Sequence, residues 1–179
     1  GKKFAVASSI GIYFYDTKNL EEIGFIETNT IVNALTFSSD GLTLISKLGD
    51  NTVRLWRVSD GAHLKTLEWP DTYITTGVAF SANGDTIALA VKPEFSEVST
   101  VIHVWRISDG ALLQAIEEIY SDVTSMAFSP DGNTLASGSK GGIINLWRVN
   151  DGALMQTLYV YSGHVGSIAF SPDGETLAS

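Results

Sequence analysis

A glycine-containing turn that follows a short apolar segment ending in Phe recurs along the chain, and this register restricts the fold more than any other feature. The turn glycine stands at Gly1, Gly41, Gly84, Gly132 and Gly174, at intervals of 40, 43, 48 and 42 residues. Three residues after each lies an apolar side chain: Phe4, Leu44, Ile87, Leu135 and Leu177. A period of this length, held five times, marks an array of similar supersecondary units rather than one irregular core.

Each unit reads as four short strands. The first ends in Phe and a turn, as in LTFSSDG (35–41), VAFSANG (78–84), MAFSPDG (126–132) and IAFSPDG (168–174). Proline presets φ and glycine accepts positive φ, so these are hairpin turns. The second strand is TLISK (43–47), TIALAV (86–91) or TLASGS (134–139), and the third is TVRLW (52–56), VIHVW (101–105) or IINLW (143–147). A second turn, Ser-Asp-Gly at 59–61 and 108–110 and Asn-Asp-Gly at 150–152, leads to HLKTL (63–67), LLQAI (112–116) or LMQTL (154–158). No segment sustains a helical period, so the chain is expected to be all-β, built of four-stranded antiparallel meanders. One such sheet cannot bury its own faces and must stack on copies of itself; radial stacking makes a propeller. The repeated Trp56, Trp105 and Trp147 are expected to be structural, packing between sheets.

Expected bounds follow: one β-propeller portion over 1–179 with about four repeats. Three complete blades lie at roughly 30–70, 73–118 and 122–160, with partial blades at 1–28 and 163–179. The chain starts and stops within a repeat, which reads as a fragment of a longer polypeptide. The third repeat carries six extra residues around KPEFSEVST (92–100).

Composition sets the function classes. Of the 179 residues 44% are apolar, enough for a core, and the formal net charge is −9. That balance opposes the broad basic surface needed for phosphate contacts, so no nucleic acid is expected. Apolar runs fall well short of the roughly 18 residues of a membrane-spanning helix, so no direct membrane insertion is expected. Cysteine is absent. His63, His103 and His164 occupy unrelated positions without paired ligand spacing, so no metal site and no cofactor is expected. SGSKGG (137–142) joins two strands rather than opening a helix, which makes it a hairpin and not a phosphate cradle. Glu21-Glu22 and Glu117-Glu118 read as solvated rims.

FSPDG, LASGS and the LW ending of the third strand resemble the WD-repeat β-propeller family (WD40), over essentially all of the chain, as a bacterial-type member. The Trp-Asp pair of that family is replaced by Trp56-Arg57, Trp105-Arg106 and Trp147-Arg148, and Gly163-His164 is the single Gly-His pair. The resemblance implies hydrogen-bonded His, Ser/Thr, Asp and Trp sets. By position these are Ser46, Asp50 and Trp56 with Ile31 for His; Leu89 and Ser99 beside Trp105 with Ile74 for His; and Ser137 with Trp147, Gly141 for Asp and Asp122 for His. His164 begins a further set with Ser179. No set is complete, so packing is expected to dominate.

The resemblance also implies that loops between second and third strands, and between one blade and the next, share a face. That face carries 47–51, 68–73, 92–99, 117–122 and 159–164. Trp69, Tyr73, Phe95, Glu94, Glu97 and Tyr120 are the candidate partner-binding residues there, since aromatic side chains on loops are the raw material of interface hot spots. Tyr159 is expected to cover a strand end. The expected function is a non-enzymatic scaffold for protein–protein interaction, holding a protein or peptide partner. The alternatives are a structural spacer of a larger or surface assembly and, third, a propeller enzyme with carboxylates at the central channel. Open blade edges would also invite self-association if the chain is this short.

Overall fold

Antiparallel hairpins account for every element of the computed structural model, which describes residues 2–38, 40–67, 73–93, 99–119, 122–161 and 163–179. The chain divides into two compact units, Gly1–Pro70 and Asp71–Ser179. The first contains β1 (Lys3–Ala7), β2 (Gly11–Asp16) and β3 (Glu22–Glu27), followed by β4 (Val32–Phe37), β5 (Thr43–Leu48), β6 (Val53–Arg57) and β7 (His63–Leu67). Its sheets run in the orders β1-β2-β3 and β4-β5-β6-β7. The second unit contains β8 (Tyr73–Phe80), β9 (Thr86–Pro93), β10 (Ser99–Arg106), β11 (Leu112–Ile119), β12 (Val123–Phe128), β13 (Thr134–Ser139), β14 (Ile143–Arg148), β15 (Leu154–Tyr159), β16 (Ala169–Phe170) and β17 (Leu177–Ala178). It forms two four-stranded sheets, β8 to β11 and β12 to β15, and the pair β16-β17.

The recurrent turn is a side-chain clamp. Ser38 Oγ donates to Asp40 Oδ1 (2.6 Å) and accepts from the Thr43 amide (3.0 Å), while the Gly41 amide closes onto the Ser38 carbonyl (2.8 Å). Ser81 with Asn83 and Thr86, Ser129 with Asp131 and Thr134, and Ser171 with Asp173 and Thr176 repeat the arrangement. Gly41, Gly84, Gly132 and Gly174 all have φ between 70° and 75°, a region that excludes most side chains. The arginines that follow the tryptophans serve the second turn: Arg57–Asp60 (2.9 Å), Arg106–Asp109 (2.8 Å) and Arg148–Asp151 (2.8 Å).

Facing sheets bury the period-2 apolar positions. In the first unit Trp56, Leu44, Leu48 and Val32 of the second sheet pack on Ile12, Phe14 and Ile26 of the first. In the second unit Trp147, Leu135, Phe128 and Val123 pack on Ile102, Val104 and Ile116. Each such tryptophan stabilises by roughly 2–3 kcal/mol through burial. Ala136 and Ile144 meet Val165 and Ile168 of the following segment.

One sheet is longer than the sequence predicts. The expected strands 86–91 and 101–105 extend to Thr86–Pro93 and Ser99–Arg106, and Tyr73 pairs with Pro93. Part of the insertion at 92–100 is therefore drawn into the ladder, where the β-branched Thr100 and Val101 suit a pleated surface. At about 3.3 Å per residue, the two added residues at the end of β9 lift it by some 7 Å.

Candidate functional site

A polar network joins the two four-stranded sheets of the second unit. Trp147 Nε1 donates to Ser137 Oγ (2.9 Å), and Ser137 Oγ donates to Glu118 Oε2 (2.7 Å). Asn145 Nδ2 donates to Glu118 Oε1 (2.6 Å), and Thr157 Oγ1 donates to Asn145 Oδ1 (2.7 Å). Every donor points towards Glu118, which is 2% exposed. Among the described residues no lysine or arginine bonds it, and burial raises its pKa above the ordinary carboxylate value despite the two hydrogen bonds.

This corrects the expectation that Asp122 occupies the His place beside Ser137 and Trp147, and that Glu117-Glu118 is a solvated rim. Glu118 fills that role because alternation along β11 sends Ile116 and Glu118 to the buried side and Glu117 outward. The same period-2 count was available from the sequence.

The other implied sets divide differently. Trp56 Nε1 donates to Ser46 Oγ at 2.8 Å. Asp50 instead accepts from Thr52 and pairs with Arg54 at 2.6 Å. Leu89 stands opposite His103 where the other sheets have serine, and Trp105 Nε1 has no hydrogen-bond partner among the described residues. His103 Nδ1 is likewise unpartnered, its ring edge-on to Trp105 at 6.1 Å, and burial lowers its pKa. His164 is exposed.

Asp122 lies at the step between the long sheet and its neighbour. Its carboxylate takes Lys92 Nζ on Oδ1 (2.7 Å) and Lys140 Nζ on Oδ2 (3.0 Å). These bonds hold its pKa below the usual carboxylate value, so the carboxylate stays ionised. The Lys140 amide also donates to the Asp122 carbonyl (3.0 Å), fixing the β13–β14 turn against the start of β12. Lys92 comes from the lengthened end of β9. A cleft of about 320 Å³ opens here, lined by Thr76, Lys92, Asp122, Val123, Thr124 and Lys140. Thr76 and Thr124 fall at the register shifts of β8 and β12, so a bulge in each first strand shapes the wall. Among the described residues that line it, two ammonium groups share one carboxylate, an excess of one positive charge.

Of the candidate partner-binding residues, Trp69, Phe95, Glu94, Glu97 and Tyr120 lie outside the described residues, as does the side chain of Tyr73. Tyr159 is 75% exposed and Tyr161 fully so, which corrects the expectation that Tyr159 covers a strand end. The segment bearing Tyr161 packs on the β13–β14 turn, with Val160 N bonded to Gly142 O at 2.8 Å. Sequence reading missed Lys140; the available signal was a lysine next to two glycines in a second-to-third-strand turn, with no acidic neighbour. Among the described residues no group of three or more His, Asp or Glu could hold a metal ion.

Four-stranded antiparallel blades closed by the same two turns, with Trp56 and Trp147 buried between neighbouring sheets inside their own units, define a β-propeller scaffold. The family model described as "WD domain, G-beta repeat" (WD40) matches residues 21–57, 112–148 and 155–179, more than half of the chain, and the protein belongs to the WD40 repeat family. That match does not bear out a bacterial-type subgroup. Comparison with curated proteins gives no match. WD40 repeats generally mediate protein–protein interaction and are typically non-enzymatic scaffolds.

Proposed function

We propose that this chain is a non-enzymatic scaffold that holds a protein or peptide partner on the loop face, where second strands turn into third strands and each blade passes to the next. The observation that carries the reading is the stepped cleft at Lys92, Asp122 and Lys140. On the same loop face Tyr159 and Tyr161 are left in water, and exposed aromatic side chains of this kind are suited to contact. By sequence, Trp69, Tyr73, Phe95, Glu94, Glu97 and Tyr120 fall in the same set of loops and extend the contact surface. The test is capture of partners from the source organism by the full chain and by Trp69→Ala with Phe95→Ala. The double variant is expected to keep its circular dichroism spectrum and to lose most of the captured protein. Undiminished capture by a folded double variant, or no specific capture by the parent chain, goes against it.

A further inference from the structure

We infer that the cleft between the long blade and its neighbour receives an anionic group carried on an acidic peptide segment of a partner protein. The inference rests on the scaffold reading and names the chemistry of its partner. Lys92 and Lys140 put two positive charges around one carboxylate, and that carboxylate stays ionised, so the excess charge persists across ordinary pH. The lysines are not equivalent. Lys92 is 17% exposed and held, whereas Lys140 is 62% exposed and free to turn towards an arriving group.

The turn carrying Lys140 has also lost the negative charge that its counterpart keeps. Asp50 in the first unit neutralises Arg54 four residues further on, but the matching position here is Gly141, where an added Cβ would meet Ser139 Oγ at 3.9 Å. The turn is thus open at Gly141 and carries no carboxylate of its own next to Lys140. Thr76 adds a hydroxyl whose hydrogen bond among the described residues, to the Ala90 carbonyl, is long at 3.4 Å, leaving it available to a better acceptor. Tyr161, on the segment bonded to Gly142, supplies an exposed ring and phenol beside this turn. The net charge of −9 repels acidic partners at long range, but screening over about 8 Å at physiological ionic strength leaves the local excess to decide what sits between the lysines.

The experiment titrates the full chain into fluorescein-labelled Gly/Ser peptides bearing two central glutamates, two phosphoserines or two glutamines, read by fluorescence anisotropy at low salt. The glutamate or phosphoserine peptide is expected to bind saturably and the glutamine peptide not to bind. Lys140→Glu, at an exposed position, is expected to keep the fold and weaken binding by roughly fivefold or more. Which anionic peptide binds more tightly decides whether carboxylate or phosphate is the preferred group. Equal binding of the glutamine peptide, absence of binding by both anionic peptides, or unchanged binding by a folded Lys140→Glu chain overturns the inference. Partner capture that depends on Trp69 and Phe95 but not on Lys140 overturns it while leaving the scaffold reading in place.

Discussion

Glu118 shows how one side chain alters the behaviour of a blade junction. Desolvation raises its folded pKa, so the folded state holds the proton more tightly than the unfolded chain does. Between the ordinary value of 4.5 and the raised folded value, this group's stabilising contribution is present at the acid end and is lost as pH rises. A histidine at this junction would act in the opposite sense, since burial opposes its protonation. Glu118→Gln cannot titrate. The difference in Tm between parent and Glu118→Gln, followed from acid to neutral pH, is expected to move in favour of the variant as pH rises. A constant offset of about 1 kcal/mol from the altered hydrogen bonds can be superimposed on this change, whereas an offset alone, with the two profiles parallel throughout, overturns it. The exposed carboxylates in the turns, Asp40, Asp131 and Asp173, are shifted downward by their serine hydrogen bonds and contribute to both proteins alike. At this scale the sequence was only half legible. The tryptophan–serine pairs could be placed from register, but the acceptor beyond Ser137 lay on another blade, and a doubled glutamate looks like surface until its strand is given a face.

At the scale of elements, most of the architecture could be read directly. Turn chemistry fixes hairpin ends, and hairpin ends fix strands. The lengthened sheet was the exception, because an insertion in a loop and an extension of two strands leave the same number of residues between turns. Packing between successive elements explains Gly138 in β13. A Cβ there would come within 2.5 Å of Val165 Cγ1 and 2.6 Å of Ile168 Cδ1, both on buried side chains of the following segment. Gly138→Ala is expected to destabilise by about 1–3 kcal/mol, the usual result of overfilling a packed site. Urea unfolding checks it: an unchanged midpoint would show that the 165–168 segment yields without strain.

For the molecule as a whole, net charge is the property that acts on every element at once. A formal charge of −9 loads the folded state with self-repulsion. The exposed arginine–aspartate pairs of the turns oppose it weakly, since such pairs contribute about 0.2–1 kcal/mol each and are themselves screened. Moderate sodium chloride is therefore expected to raise Tm by about 2 °C, the shift produced by somewhat under 1 kcal/mol in a chain of this length. A fall in Tm would show that the ion pairs outweigh the repulsion. This property was wholly legible from composition. The cleft was not, because Lys92, Asp122 and Lys140 come together only when one blade stands taller than the next.

The three tryptophans at the repeated third-strand position have a further use. The indole of Trp56 ends its donor chain on a serine hydroxyl, that of Trp147 feeds through a serine into a titratable carboxylate, and that of Trp105 donates to no described group. Indole emission follows the polarity around the ring nitrogen, so these three positions are native optical probes, one in the first unit and two in the second, besides Trp69. Single-tryptophan variants turn the structural repeat into a spectroscopic address system, in which the Trp147 signal alone is coupled to the proton on Glu118.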